Sequence, residues 1–364
     1  MRKLCLILAL FLLLSGCGTK EASLPEGYRP AYEQTTLPLE DDLILHLRSN
    51  GNIIVGATYN YQDSGNLYLL EPGASSVSTK MISDFHGLRY YDLLAVDGDN
   101  GIWIGGTWED DTYAALRLDA QGEELLSIEF EPGVPDHGIT SLGWDESHYY
   151  IIVTLWQNQD GAIVFDSQLR VYDLEGQEVF RRSINDYCLD TAGYLPQEED
   201  WLEDLEGREG DILLEMLYPD GPVNEVGLIQ LQDGSAGMLI SRKSPTEAEC
   251  YGIICPFEAD FSITPTMCYP VDTADNGRLY SYFPSGDPDY DLLVNGKTGI
   301  YGINLAKQTQ TLLYTWDQRQ FSLGQLSPLC PGMSDSTYYG PKGTLGFYSW
   351  QNEGYVIEVL SPKS

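Results

Sequence analysis

Residues 90–130 read YYDLLAVDGDNGIWIGGTWEDDTYAALRLDAQGEELLSIEF. Four strand-length runs are visible in it: Tyr90–Val96, Ile102–Thr107, Ala114–Leu118 and Glu124–Phe130. Each is rich in Leu, Ile, Val or aromatic residues, the types that pack on a pleated surface. The breaks between them carry Asp, Asn and Gly, whose side chains or missing Cβ suit tight turns. The stretch therefore predicts four short antiparallel strands joined by hairpins.

The same phrase recurs on both sides. Upstream, Asp42–Leu47, Ile53–Tyr59, Leu67–Leu70 and Val77–Ile82 are separated by Ser49–Asn52, Asp63–Asn66 and Pro72–Gly73. Downstream, a third copy runs from Ile139 through Tyr149–Leu155 and Leu169–Tyr172 to Val179–Ser183. A fourth runs from about Trp201 through Ile212–Leu217, Val226–Leu231 and Met238–Ser241. A later one holds Arg278–Phe283, Asp291–Asn295, Gly299–Ile303 and Thr311–Trp316. The last holds Phe321–Leu326, Ser336–Tyr339, Leu345–Trp350 and Tyr355–Leu360. The period is roughly 45 to 50 residues, and four short strands at that period mark a β-propeller. One four-stranded sheet buries neither face alone; stacking twisted sheets around an axis covers both. The predicted fold is all-β, a β-propeller of six or seven four-stranded blades over residues 35–364. Tyr187–Asp200 and Cys250–Cys268 read as long irregular insertions. Thr35–Leu39 or Asp42–Leu47 is expected to close the ring by pairing with the last unit.

The chain begins with Arg2 and Lys3, then an apolar run from Leu4 to Leu14, then Ser15, Gly16 and Cys17. A basic start, a short apolar core and small residues at its end define a secretory signal. The run is shorter than the roughly 20 residues that cross a bilayer as a helix. Leu14-Ser15-Gly16-Cys17 resembles the bacterial lipobox, in which the Cys receives a diacylglycerol and becomes the new N-terminus. The resemblance implies a signal peptide over residues 1–16, lipidation of Cys17, and a protein anchored on the extracytoplasmic side of the cell membrane. Residues 17–34 read as a flexible tether.

Composition narrows the partners. Fifty-five acidic residues face 20 basic ones, a formal net charge of −35. Such a surface repels nucleic acid, whose phosphates require Lys and Arg. With 43% hydrophobic residues the chain buries a sizeable core. Besides Cys17, the mature chain holds Cys188, Cys250, Cys255, Cys268 and Cys330, an odd number, and Cys250 and Cys255 are near enough in sequence for a small-loop disulfide. Zinc is not expected, because no CxxC pair is present and His46, His86, His137 and His148 lie far from these cysteines.

Two stretches carry further resemblances. Asp97–Thr107 (DGDNGIWIGGT) is similar to the sensor-propeller repeat of bacterial two-component regulators. Thr298–Trp316 (TGIYGINLAKQTQTLLYTW) resembles pyrroloquinoline-quinone-type repeats and the propeller part of solute-binding lipoproteins of Gram-positive bacteria. Both imply a propeller, with Trp103 and Trp316 as blade-core residues. Neither transfers a cofactor-binding residue.

Catalytic motifs are absent. There is no GxSxG, and Gly296-Lys297-Thr298 lacks the upstream Gly of a phosphate loop. Asp97–Gly101 alternates oxygen ligands as calcium loops do, but Trp108 stands where such a loop places its acidic residue, so a hairpin turn is expected and no cofactor is called for. Asp287, Asp289 and Asp291 cluster three carboxylates that suit a cation, or simply a solvated turn. Tyr59, Tyr61, Trp108, Trp156, Tyr282 and Trp350 all fall where a strand meets a loop. Aromatic faces beside amide side chains suit sugars and peptides. The sequence therefore predicts a monomeric binding or scaffold module for a protein, peptide or glycan. The alternatives are a carbohydrate-active enzyme and an accessory to an ABC-type uptake system.

Overall fold

The computed structural model describes residues 29–38, 46–50, 52–58, 65–72, 76–110, 112–130, 138–159, 162–191, 223–243, 250–271, 281–285, 287–295, 298–315, 337–340, 344–351 and 354–363. The described chain opens with β1 (Tyr32–Pro38). The next four strands form sheet one: β2 (His46–Ser49), β3 (Ile54–Thr58), β4 (Asn66–Pro72) and β5 (Val77–Asp84). Sheet two holds β6 (Arg89–Val96), β7 (Ile102–Thr107), β8 (Tyr113–Leu118) and β9 (Glu124–Glu129). Sheet three holds β10 (Gly138–Trp144), β11 (His148–Gln159), β12 (Ala162–Asp173) and β13 (Glu178–Ser183), followed by a short helix, α1 (Ile184–Asp190). Sheet four holds β14 (Val223–Gln230), β15 (Ala236–Lys243), β16 (Cys250–Pro256) and β17 (Met267–Val271). Sheet five holds β18 (Ser281–Pro284), β19 (Leu292–Asn295), β20 (Gly299–Asn304) and β21 (Thr309–Thr315). Sheet six holds β22 (Thr337–Gly340), β23 (Thr344–Gln351) and β24 (Gly354–Pro362), with β1 as its fourth strand.

Every pairing is antiparallel, and each of the first five sheets is a meander of strands neighbouring in the chain. The first strand of each sheet touches the first strand of the next, in the order β2, β6, β10, β14, β18, β22, and β22 touches β2 again. Four-stranded sheets arranged around such a ring are the blades of a β-propeller. Sheet six is completed by β1, which pairs with β24 from Tyr32↔Pro362 to Pro38↔Val356. The two ends of the chain thus close the ring.

Strand alternation explains how the blades stack. Successive side chains point to opposite faces of a sheet. On β11, Tyr150 and Ile152 join a core with Leu228, Met238 and Ile253 of sheet four, while Ile151 and Val153 join one with Trp103 and Ala115 of sheet two. On β7, Trp103 faces sheet three, whereas Ile102 and Ile104 face Val55 and Leu67 of sheet one. One strand serves two interfaces, so the second and third strands read as unbroken apolar runs rather than alternating ones.

The sequence expectation needs three corrections. The fourth unit was placed from about Trp201 through Ile212–Leu217, a stretch outside the described residues; in the structure it starts at Val223 and uses β16 and β17, inside the segment read as an irregular Cys250–Cys268 insertion. Within Cys250–Pro256 (CYGIICP) the four consecutive residues Gly252–Cys255 are all buried, so the run shows no alternation to recognise. In sheet six the remaining strand is β1; Phe321–Leu326 lies outside the described residues. A Cys250–Cys255 disulfide is excluded, because both belong to the one extended strand β16. Residues five apart in a strand are separated by roughly 17 Å, well beyond the about 7 Å that a disulfide tolerates.

Two buried phenols bring a pH dependence. Burial pushes Tyr32 and Tyr172 up to about 12 from the ordinary phenol value near 10. In the unfolded chain these groups ionise near pH 10, whereas the fold holds them neutral. Their contribution is intact below pH 10 and is lost as pH climbs from about 10 to 12. Urea midpoints are expected to be flat from pH 8 to 9.5 and to fall through that window, less steeply in Tyr172→Phe. A flat profile to pH 12 would contradict the burial of both rings.

Candidate binding face

The first-to-second turns of the blades share one device. At one end lie the first-to-second turns, and in the five described ones an Asn or Asp closes the hairpin. Its Oδ1 accepts a backbone N–H two residues on: Asn50 from Asn52 (3.0 Å), Asp97 from Asp99 (3.0 Å), Asp145 from Ser147 (2.7 Å), Asp233 from Ser235 (2.9 Å) and Asp287 from Asp289 (2.9 Å). A short side chain that bonds its own backbone fixes such a turn locally. The opposite end collects the second-to-third turns and the connections that return from an outer strand to the next inner one. β13 ends there at Ser183 and β21 at Thr315; residues 192–222 and 316–336 lie outside the described residues.

This division places the sequence-predicted residues. Trp108 directly follows β7, Trp156 lies near the end of β11 and Trp350 near the end of β23, so all three sit toward the second-to-third turns. Tyr59, Tyr61 and Cys17 lie outside the described residues. Trp108 is half-buried. Its backbone N–H donates to the Thr112 carbonyl (2.8 Å), and its ring lies 3.7 Å from where a Cβ on Gly87 would be. Beside it, hydrogen bonds from Thr112 hold the Asp110 carboxyl below its ordinary value, and Arg89 pairs with Glu109 at 2.5 Å.

Tyr282 has a different setting. It is half-buried between sheets four and five, with its hydroxyl over Gly227 on the inner strand β14. A Cβ on Gly227 would fall 1.5 Å from that hydroxyl, so glycine is what lets the ring sit there. The Asp287–Asp291 loop lies at the opposite end, among the first-to-second turns. Its carboxylates are engaged separately: Asp287 in its turn, Asp291 accepting from the Leu305 N–H (2.7 Å), and Asp289 near Lys307 (3.6 Å). Among the described residues no group of three His, Cys, Asp or Glu side chains is arranged to hold a metal ion.

Asp97 has a role the sequence did not disclose. Its carboxylate is buried and accepts from Arg117 Nε (2.5 Å), Trp103 Nε1 (2.9 Å) and Gly101 N–H (2.8 Å). Asn50 donates to its carbonyl (2.6 Å), and Arg117 lies over the Tyr149 ring at 5.7 Å. The cluster links sheets one, two and three. Cys255 is a buried thiol whose ionisation is pushed well up, first by burial and then by the nearby Cys188 and Cys268. A thiol held neutral in this way is a poor nucleophile.

No family model matches the chain, and no curated protein matches it. Solved structures do. The WD40 domain of Toxoplasma gondii coronin aligns with 93% of this chain and 88% of its own, at 10% identity and a TM-score of 0.41. The β-propeller domain of the trilobed protease from Pyrococcus furiosus aligns with 88% and 84%, at 12% identity and a TM-score of 0.39. The fold assignment rests on the strand topology above. No helix among the described residues is long and apolar enough to cross a membrane.

Proposed function

We propose that this chain is a lipid-anchored extracytoplasmic lipoprotein whose six-bladed propeller is a binding scaffold for a protein, peptide or glycan. The observation that carries the reading is that the Trp108, Trp156 and Trp350 positions of three blades fall at one and the same end. One end is tied into short Asn- and Asp-closed turns. The other holds the ends of β7, β11 and β23, with the Trp108, Trp156 and Trp350 positions. A rigid ring presenting variable loops on one side is how scaffold folds carry recognition. The lipobox-like Leu14–Cys17 supports the anchor, and the net charge of −35 suits a body held off an anionic surface.

Two measurements test it. Cys17→Ser is expected to move the protein from the membrane fraction to the soluble fraction and to abolish labelling by radioactive palmitate. A partner captured on the full chain is expected to bind at least tenfold more weakly to Trp108→Ala combined with Trp350→Ala, with the melting transition retained. Undiminished capture would place recognition elsewhere, and palmitate-free membrane retention would remove the lipid anchor.

A further inference from the structure

The register of sheet six fixes where the chain enters the propeller. In each blade the first strand runs toward the first-to-second turns, the second runs back, the third returns and the fourth leaves again, because every pairing is antiparallel. β24 is the third strand of sheet six and β1 the fourth. Tyr32 pairs with Pro362, the last residue of β24, and Pro38 with Val356 near its start. The chain therefore enters β1 at the end of the first-to-second turns, where the Ala31 carbonyl accepts from the Lys363 N–H (2.8 Å). β7, β11 and β23 are second strands and finish at the opposite end, with the Trp108, Trp156 and Trp350 positions. Entry point and Trp positions are thus separated by the length of a blade.

Distances decide what this separation does. Cys17 and Ala31 are fourteen residues apart, and a flexible linker of that length spans about 20 Å end to end. The six-residue strand β7 alone covers roughly 20 Å at about 3.4 Å per residue. A lipid on Cys17 reaches the bilayer directly when the entry end faces it. With the Trp end facing the bilayer, the same tether must also pass the length of a blade. That consumes its ordinary reach and leaves no room beneath the face for a folded partner. Charge opposes the first arrangement, since Asp99, Asp145, Asp233 and Asp287 lie in the turns at the entry end. Their repulsion from an anionic surface fades within a Debye length of about 8 Å at physiological salt. The tether reaches well beyond that, so chain geometry outweighs the charge.

Resting on the lipid anchor and the binding face of the preceding section, we propose that the anchored protein turns its Trp108, Trp156 and Trp350 end away from the bilayer. The partner it meets is then one that arrives from the aqueous side, not one embedded in the membrane. A membrane-embedded transporter subunit would meet the acidic turn end instead, so an uptake accessory that uses the Trp face does not fit this geometry.

The test uses the full lipidated chain on phosphatidylcholine vesicles that carry a trace of lipid with an energy-transfer acceptor on its headgroup. A donor fluorophore is introduced through an unnatural amino acid at one of two exposed positions. Asp99 lies in the first-to-second turn of sheet two, and Asp110 lies beyond the other end of β7. Each labelled protein must keep the parent's melting transition. Transfer from position 99 is expected to exceed that from position 110 by about twofold or more, and Cys17→Ser is expected to abolish both. Equal transfer, or stronger transfer from position 110, would overturn the orientation and leave the anchor standing. Transfer that ignores Cys17→Ser, or none from either position, would overturn the anchor and the orientation with it. A partner captured on the soluble Cys17→Ser chain is expected to bind the vesicle-bound protein with the same affinity. A tenfold loss on vesicles would overturn the outward-facing end, while the two Trp substitutions would still report on the face itself.

Discussion

Removing Tyr32–Pro38 is expected to abolish the cooperative melting transition, whereas removing residues 1–30 is expected to leave it nearly unchanged. The two truncations differ because the chain divides into compact units between Pro30 and Ala31. β1 supplies seven ladder partners to β24, and without it β24 becomes an exposed edge. Its side chains matter as much. Tyr32 is 4% exposed and packs with Leu293, Ile300 and Leu313 of sheet five and Leu360 of sheet six, and Leu37 is also buried. Each such side chain contributes about 1.5–3 kcal/mol by burial. The backbone adds two further ties, Ala31 N–H to the Leu313 carbonyl (2.7 Å) and Lys363 N–H to the Ala31 carbonyl (2.8 Å). Against a typical total of about 5–15 kcal/mol, losing all of this leaves the ring open. Tyr32→Ala alone should retain a transition lowered by about 3–5 kcal/mol, as large-to-small aromatic changes do. Scanning calorimetry of the three proteins decides. A truncation lacking Tyr32–Pro38 that melts like the full chain would mean that β1 does not close the ring.

What could be read beforehand follows the same physics. The blades of sheets one, two and three were legible because their turns carry Asp, Asn and Gly between apolar runs of strand length. The unit over sheet four was misplaced because Cys250–Pro256 packs on two neighbours and loses the alternation that marks a half-exposed strand. Closure was legible only as a choice between two segments, since the pairing of Tyr32 with Pro362 joins opposite ends of the chain and leaves no local signal. Asp287 illustrates the limit for sites. Seen alone, Asp287, Asp289 and Asp291 look like a cation cluster. Aligned with Asn50, Asp97, Asp145 and Asp233, Asp287 occupies the turn position of the repeat. Tyr282 had the right sequence context for a surface aromatic; its place over Gly227 depends on a neighbouring blade that no local window contains.

The same dependence on neighbours makes Asp97 the residue whose loss should cost most among single polar substitutions. In the sequence it is one of 55 acidic residues, in a turn that any Asp or Asn would close. In the fold it is 2% exposed, and its two oxygens meet Arg117, Trp103 Nε1 and two backbone N–H groups. Asp97→Ala would strand the Arg117 guanidinium and the Trp103 indole N–H in a core shared with Tyr149, 4.7 Å from the Trp103 ring centre. Breaking a buried pair by removing one partner costs about 3–5 kcal/mol, because the remaining charge has no compensation. Asp97→Asn can still close the turn, as Asn50 does in sheet one, and loses only the charge. It is expected to cost about half as much. Arg117→Met removes the cation and keeps apolar bulk beside Tyr149; combined with Asp97→Asn it should cost less than the sum of the two single changes, since the pair acts as a unit. Urea midpoints of the four proteins measure this coupling directly. Additive losses, or an Asp97→Ala cost below about 1 kcal/mol, would mean that apolar stacking alone holds the first three blades in register and that the ion pair is incidental.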